Sequence, residues 1–263
     1  MHRLVWNVDP DIFSLGAFHL RWYGFFFALG FFLGYQIMVR FYRREERPLE
    51  NLSDLFLYLF LGTIIGARLG HVFLYQPDYF LSHPWKIFMI WQGGLASHGG
   101  FAGVMISLYL YLRKHRDMSF IEIADRLAIP CLLAATSIRV GNFFNSEILG
   151  IPSNLPWAIV FARVDNIPRH PAMLYEATAY FLIFCALYVA YWKATIIQFP
   201  GRVFGTAIAT CFLARFIIEF VKENQVSFES RLLMNMGQLL SIPLILAGVY
   251  LIYASRRTSR TPP

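Results

Sequence analysis

Charged side chains are scarce in this chain of 263 residues. Asp, Glu, Lys and Arg make up 15% of it, whereas a soluble domain carries about 25%. Hydrophobic residues reach 57%, aromatic residues reach 17%, and the mean hydropathy is +0.49. Such a composition suits lipid-facing and interfacial surface. It excludes an ordinary soluble domain and predicts one integral membrane domain over residues 1–263.

The chain is also poor in cysteine, with three widely separated residues: Cys131, Cys185 and Cys211. Each lies in an apolar stretch, and no CxxC or Cys/His spacing occurs, which indicates buried thiols rather than a disulfide framework or a zinc site. The sequence lacks a Walker-type phosphate loop, a GxSxG elbow, an HExxH helix and an acidic cluster for Mg²⁺. We therefore expect no metal and no other cofactor.

Seven apolar segments are long enough to cross a bilayer, since about 20 residues of helix span its hydrocarbon core. The predicted fold class is an all-α integral membrane protein with seven transmembrane helices. No internal repeat is visible, which weighs modestly against transporters built from inverted repeats. The segments cover residues 22–39, 55–75, 88–112, 127–145, 173–192, 203–221 and 237–254.

Lysine and arginine are concentrated in alternate loops between these segments. The loops after the first, third and fifth segments and the tail after the seventh carry twelve of them, against five in the opposite loops. Basic loops face the cytoplasm, so the N-terminus is predicted outside and the C-terminus inside. An N-terminal arm, about 1–20, and a proline-rich insert, about 146–172, then lie in the periplasm. The net charge of +7 reflects this topology, and we expect no nucleic-acid partner.

Arg139 interrupts an otherwise apolar segment, where insertion scales assign a charge a cost of about 2.5–3.5 kcal/mol. Asn142, Asn145, Ser146 and Glu147 follow it. Arg139, Asn142 and Ser146 are spaced i, i+3, i+7 and share one face if the helix persists. A guanidinium presents a fixed fork of donors to phosphate oxygens, so this segment is predicted to be the centre of an active site for an anionic head group. The alternative is a structural polar network between helices.

His98 lies between two glycine pairs, Gly93-Gly94 and Gly99-Gly100, at the start of the third segment. Glycines leave open space around the imidazole and allow a ligand to approach the backbone. A neutral imidazole is the usual proton acceptor near neutral pH. The alternative is a packed histidine beside glycine-mediated helix contacts, and the sequence leaves the two readings balanced.

Arg215 and Glu219 are spaced i, i+4 in the sixth segment and can pair within one helix. One reading is mutual neutralisation for membrane insertion. The other has Arg215 facing the same cavity as Arg139, with Glu219 orienting its guanidinium. Glu176, in the fifth segment, also needs a partner inside the membrane, and we expect an arginine.

Three further polar residues lie in the first two segments. Arg68 and His71 raise the same ambiguity between structure and function, with a structural role favoured for Arg68. Tyr23, in the sequence Arg21-Trp22-Tyr23-Gly24, is either an interfacial anchor or a head-group donor.

These motifs resemble the bacterial prolipoprotein diacylglyceryl transferase family. The long run Arg139–Gly150 is similar to the family signature, and the similarity extends in order from about residue 20 to 245. Ile138 stands where the family often has Gly or Ala, and Met173 where it often has Gln, so position 173 receives no catalytic role. The further similar blocks are Trp22-Tyr23-Gly24, Ser97-His98-Gly99-Gly100, Arg169-His170-Pro171 with Leu174-Tyr175-Glu176, Arg215 with Glu219-Phe220, and Met236-Gly237-Gln238 with Ser241-Ile242-Pro243.

The resemblance implies a multi-pass enzyme of the bacterial inner membrane. Such an enzyme moves the diacylglyceryl group of phosphatidylglycerol onto the lipobox cysteine in the signal peptide of a preprolipoprotein, and releases glycerol phosphate. The expected partners are phosphatidylglycerol, the preprolipoprotein signal peptide and membrane lipid.

The same reading assigns roles to the polar residues. His98 is the expected base, Arg139 holds the phosphate, and Arg215 is the second cation. A cation that lowers the pKa of the substrate thiol would instead make His98 dispensable. The rival classes are a carrier or channel for an anionic solute, and a lipid-binding scaffold. The remaining predicted substrate-binding residues are Tyr23, Asn142, Asn145, Glu147, Gly150 and Glu219.

Overall fold

The computed structural model describes residues 3–16, 18–90, 93–94, 96–193, 199–223 and 234–256. Most of these residues are helical. Six helices are long and apolar enough to cross a membrane, and they coincide with six of the seven predicted segments. The prediction of a largely helical membrane protein is confirmed to that extent. Of the basic residues used to predict orientation, Arg231, Arg257 and Arg260 lie outside the described residues.

Helices α1, α2 and α5 extend five to seven residues beyond the predicted bounds 22–39, 55–75 and 127–145. Single 3₁₀ turns form at Pro84–Phe88 and at Glu219–Val221. The α-helices of the described residues are α1 Trp22–Arg44, α2 Leu49–Tyr75, α3 Pro77–Ser82, α4 Ser97–Lys114, α5 Phe120–Asn145, α6 Ala172–Trp192, α7 Arg202–Ile218 and α8 Met236–Ser255.

The third predicted segment, residues 88–112, differs most from the structure. Helix α4 begins only at Ser97 and has 18 residues, which gives it a length of about 27 Å. Its first turns contain Gly99, Gly100 and Gly103 and its last turn is basic, so its mean hydropathy is low. It is not among the six helices that meet the length and apolarity of a membrane span.

Five short strands among the described residues correct the all-α prediction. Strands β2 (Asp11–Leu15) and β3 (Phe18–Arg21) form an antiparallel hairpin in the N-terminal arm. Strand β1 (Leu4–Trp6) pairs in parallel with β4 (Ile159–Phe161), which pairs antiparallel with β5 (Pro168–Arg169). Prolines in the insert lack the N–H that a helix needs, so strand pairing satisfies the backbone there. Residues 146–171, all of them described, contain no helix, as the prolines predicted.

The chain divides into two compact units, unit 1 with Met1–Ile37 and Ala124–Pro263, and unit 2 with Met38–Ile123. In unit 2, α2 and α4 pack through glycines, because a side chain at Gly66 would collide with the backbones of Gly99 and Gly103. Small residues of this kind allow close helix contact in a membrane.

Unit 1 has its own apolar core beneath the insert. It consists of side chains from the C-terminus of α5, from β4 and from the start of α6, with Trp6 of β1 packed against it. The Trp6 and Phe143 rings lie 4.1 Å apart between centroids. This core anchors the N-terminal arm and the insert to the end of α5, where the predicted signature lies. The buried members are Phe143, Leu149, Ile159, Phe161 and Met173.

Candidate functional site

Helix α5 ends in a Schellman-type turn at the predicted signature. The Ser146 amide donates to the Phe143 carbonyl at 3.1 Å, and the Glu147 amide donates to the Asn142 carbonyl at 2.9 Å. Ser146 has a φ of 57°, the left-handed conformation that closes such a turn. The turn satisfies the last carbonyls of the helix, which therefore stops at Asn145.

This turn overturns one expectation about the site. The helix does not persist to Ser146, so Arg139 and Asn142 share a helical face without it. Ile148 also has a positive φ, 59°, which is uncommon for a β-branched side chain and costs about 1–3 kcal/mol. The two left-handed residues fix the position of Glu147 between them.

Glu147 orients two amides at the end of α5. Its Oε2 accepts from Nδ2 of Asn142 at 2.9 Å, and its Oε1 accepts from Nδ2 of Asn145 at 3.1 Å. Oδ1 of Asn142 in turn accepts from Nη1 of Arg139 at 2.9 Å. The Glu147 carboxylate therefore fixes the orientation of the Asn142 amide, and that amide fixes the orientation of the Arg139 guanidinium.

A second carboxylate holds the other side of Arg139. Oε2 of Glu176, which is completely buried on α6, lies 2.5 Å from Nε of Arg139. Its Oε1 lies 3.3 Å from Nζ of Lys222. The expected arginine partner of Glu176 is thus confirmed, and a lysine shares the carboxylate.

Lys222 also corrects the predicted role of Glu219. Nζ of Lys222 lies 3.1 Å from Oε2 of Glu219, so this carboxylate pairs with the lysine and not with Arg215. Glu219 keeps the i, i+4 helical spacing from Arg215, because its amide donates to the Arg215 carbonyl, but its carboxylate pairs with Lys222 instead. Gly237 packs directly against the Glu219 carboxylate, since a side chain there would collide with it.

Arg215 and Tyr23 belong to the same surroundings. The charges of Arg139 and Arg215 both act on the Tyr180 phenol, and those of Glu147 and Arg139 act on Tyr23. The structure therefore brings together in unit 1 all of the predicted polar site residues except His98.

Several donors and acceptors of this cluster remain unused. Among the described residues, Arg215 has no hydrogen bond or ion pair, and Nη2 of Arg139 makes no hydrogen bond. Oδ1 of Asn145 and Oγ of Ser146 are buried without a partner. Buried polar atoms are nearly always satisfied in folded proteins, so spare atoms of both kinds concentrated here indicate a ligand site.

Gly150 lies at a crossing of three backbone segments. Its amide donates to the His170 carbonyl at 2.9 Å, and the Ile151 amide donates to the Val221 carbonyl at 3.0 Å. A side chain at Gly150 would collide with His170 and Val221. Gly150 thus joins the insert to the segment after α7 and so positions Lys222. The predicted contact of Gly150 with the substrate stays a prediction.

Arg169 stabilises the insert from the other side. It contacts the Asp165 carboxylate at 2.6 Å, Glu223 at 3.3 Å and the Gly150 carbonyl at 3.3 Å. The hydrogen bonds from Arg169 hold the pKa of Asp165 below its usual range, and that of Arg169 is raised in return.

His98 and Arg68 belong to unit 2. His98 is exposed in the first turn of α4, and the site that it is predicted to share with Arg139 stays a prediction. Arg68 is 5% exposed, and it donates to backbone carbonyls of residues 86–94. Arg68 thus holds the segment between α3 and α4, which supports the structural role favoured from the sequence.

The sequence interpretation missed Lys222, which it counted as a basic loop residue. Its position three residues after Glu219 was a signal, because an i, i+3 pair of opposite charges lies on one face of a helical turn. Its contact with Glu176 joins residues far apart in the chain and left no local signal.

Comparisons with known proteins identify the family of this chain. Residues 10–254 match the family model described as prolipoprotein diacylglyceryl transferase. A phosphatidylglycerol–prolipoprotein diacylglyceryl transferase of Chloroherpeton thalassium is 47% identical, over 96% of this chain and 94% of the relative. Proteins of the same name from Tolumonas auensis and Bacteroides fragilis are 48% and 41% identical, over 97% and 94% of this chain and 98% and 94% of their own length. The chain belongs to the prolipoprotein diacylglyceryl transferase family.

Proposed function

We propose that this protein transfers the diacylglyceryl group of phosphatidylglycerol to the lipobox cysteine in the signal peptide of a preprolipoprotein. The relatives carry the donor and acceptor in their names. The observation that supports the assignment most directly is the pair Arg139 and Arg215, two cations in apolar helices with unused donors. A phosphodiester head group fits such donors, because guanidinium forms charge-assisted hydrogen bonds to phosphate oxygens.

The reaction is a displacement at carbon. The cysteine sulfur forms a bond to the terminal glycerol carbon of the diacylglyceryl group, and the bond from that carbon to the phosphate oxygen breaks. The electron pair of the broken bond leaves on glycerol phosphate, and the thiol proton passes to a base. Charge grows on the phosphate as the bond breaks, so fixed cations in a water-poor site stabilise the transition state.

The polar residues divide these tasks. Arg139 and Arg215 hold the phosphate, and Glu176, Glu147 and Asn142 fix the orientation of Arg139. The spare oxygens of Asn145 and Ser146 suit glycerol hydroxyls. Tyr23 contributes a phenol at the same site.

His98 is the proposed base, since an exposed imidazole next to glycines can approach a thiol. His98→Gln should lower the transfer rate about 10²–10⁴-fold without changing the melting temperature. The control is His83→Gln, a half-buried histidine that follows α3. Transfer by His98→Gln at nearly the normal rate would assign thiolate formation to the arginines instead.

We also propose the finer membrane topology. Helix α4, about 27 Å long, is the seventh span, the N-terminus lies outside and the C-terminus lies in the cytoplasm of a bacterial inner membrane. The two units form one membrane domain, with the N-terminal arm and the insert in the periplasm. Cysteine-labelling from each side of intact cells, at Leu15 in β2 and at Arg116 after α4, tests this topology.

One experiment separates the function classes. Purified protein is incubated with phosphatidylglycerol vesicles and a preprolipoprotein, and the acceptor is analysed by mass spectrometry. Addition of one diacylglyceryl mass to the cysteine supports the transferase. A carrier or channel for an anionic solute predicts flux across liposomes with no covalent product, and a scaffold predicts lipid retention alone.

A further inference from the structure

A polar pocket opens at the C-terminal end of α2 in unit 2. Its volume is about 670 Å³, which is within the range of ligand pockets. We call it the α2–α3 pocket, because α3 follows α2 directly and forms part of its wall. Its polar lining includes Arg68, His71 and Tyr75 of α2, Asp78 and Tyr79 of α3, and Lys86.

The end of α2 reaches the depth of lipid head groups. Helix α2 has 27 residues and is about 40 Å long, so it is longer than a hydrocarbon core of about 30 Å. Exposed Tyr75, Tyr79 and Trp85 surround its end, as aromatic side chains do at a membrane–water interface. Phe73 and Leu74 are exposed beside them. A phospholipid with its chains against Phe73 and Leu74 thus has its head group at the pocket.

The pocket contains one cation and one anion that do not pair with each other. Nζ of Lys86 contacts the Tyr79 hydroxyl and lies 4.8 Å from the centroid of the Tyr79 ring. Neither Lys86 nor the Asp78 carboxylate has an ion pair among the described residues, and the Tyr75 hydroxyl has no hydrogen bond among them. Opposite charges that remain separate in one pocket indicate a ligand that carries both signs.

The head group of an aminophospholipid carries both signs, because it has a phosphate and a primary ammonium. Its phosphate fits Lys86 and its ammonium fits Asp78, since both contacts are charge-assisted hydrogen bonds. The Tyr75 hydroxyl can accept from the same ammonium. Phosphatidylglycerol, the proposed donor lipid, has the phosphate without an amine and would leave the Asp78 charge uncompensated.

We propose that the α2–α3 pocket binds the head group of a zwitterionic aminophospholipid, as a structural lipid that is not consumed. The head group connects α3, through Asp78, to the segment that precedes α4, through Lys86. Arg68 already ties that segment to α2, and the lipid adds a second connection at its surface. This site is additional to the proposed transfer and does not depend on it.

Native mass spectrometry tests the choice of lipid. The full-length protein in detergent, freed of copurified lipid, is titrated with phosphatidylethanolamine in the presence of phosphatidylglycerol. A single phosphatidylethanolamine should bind, and an excess of phosphatidylglycerol should not displace it. Phosphatidylcholine should bind more weakly, because its quaternary ammonium has no N–H to donate. Displacement of phosphatidylethanolamine by an equal amount of phosphatidylglycerol would overturn the proposal.

Two substitutions separate the roles of the two charges. Asp78→Ala and Lys86→Gln should each weaken phosphatidylethanolamine binding about two- to fivefold. Asp78→Ala should also abolish the preference over phosphatidylcholine, since the ammonium loses its acceptor. Lys86→Gln should keep that preference, because both lipids carry the phosphate. The same preference in Asp78→Ala as in the wild type would contradict the assigned contact.

The matched controls are Glu50→Ala at the start of α2 and Arg116→Gln after α4. Both residues are exposed and have no ion pair among the described residues. These variants should bind phosphatidylethanolamine as the wild type does. An equal loss of binding in the controls would attribute the effect to general surface charge and overturn the proposed site.

Thermal unfolding gives an independent readout. Phosphatidylethanolamine should raise the melting temperature of the wild type and not that of the double variant Asp78→Ala with Lys86→Gln, because a ligand stabilises the folded state to which it binds. Without lipid, the double variant and the wild type should melt at the same temperature, which shows that the variant folds. An equal rise in both proteins would place the bound lipid elsewhere.

Discussion

Two arginines in apolar helices, Arg68 and Arg139, compensate their charge in different ways. Arg68 directs its donors to the carbonyls of one backbone segment, including Ile87 at 2.7 Å and Gly93 at 2.6 Å. Arg139 binds one carboxylate and one amide and retains a donor nitrogen without a hydrogen bond. An arginine whose hydrogen bonds are all used holds structure, whereas one with spare donors can bind a ligand.

The largest effect is expected for Arg139→Ala. Loss of a donor that stabilises growing negative charge costs about 10²–10³ in rate, and the loss of phosphate binding adds to it, so transfer should be undetectable. The variant should still insert and elute as a folded protein. Arg139→Lys is the comparison, since it retains the charge without the fork of donors. Normal turnover by Arg139→Ala, measured by mass spectrometry of the acceptor, would remove this residue from the site.

Arg68→Ala should act on stability instead. It leaves several partly buried carbonyls without donors, and we expect the free energy of unfolding to fall by about 3 kcal/mol. Thermal unfolding in detergent measures the loss. The fraction that remains folded should retain transfer activity per molecule, and a fully stable but inactive Arg68→Ala would contradict the comparison.

Lys222 is a structural cation that lies within the site, and its removal should lower stability. Lys222→Met leaves the buried Glu219 carboxylate without a cation and Glu176 with Arg139 alone, which should cost about 3–5 kcal/mol. The double variant Lys222→Met with Glu219→Gln should recover part of the stability, because it removes the uncompensated charge. Equal stability of the single and double variants would show that the uncompensated Glu219 charge is not the cause of the loss.

The smallest effect concerns Arg169 and Asp165 in the insert. The depressed pKa of Asp165 means that its ion pair stabilises the fold above the ordinary pKa of an aspartate, and the contribution disappears as pH falls through the folded value. Asp165→Asn should therefore lower the melting temperature slightly at pH 7, and the difference from wild type should shrink toward pH 3. The control is Asp78→Asn, at an exposed residue of α3 with no ion pair among the described residues.

The sequence predicted the helices well because apolar runs of membrane length leave few alternatives. It also identified Arg139, Asn142 and Glu147, since polar residues in an apolar segment are visible without a structure. The structure was needed for the Ser146 turn, which uses a serine where a left-handed residue is usually glycine. It was also needed for Lys222, because the contact of this residue with Glu176 on α6 has no periodicity to detect.

The β strands are another feature that the sequence pattern did not reveal. The strands are too short for a clear alternation of apolar and polar residues, and β1 pairs with a segment from the other half of the chain. Composition therefore predicted a helical protein and did not predict the small sheet.

The pairing of β1 with β4 has a consequence for biosynthesis. Leu4 leaves the ribosome about 8–30 s before its partner Ile159, at ordinary translation rates. Throughout that interval the first strand has open hydrogen-bonding edges and no sheet to join. Assembly of the sheet is thus a late step, and deletion of the first few residues would leave the insert without its outer strand even though every membrane helix is intact.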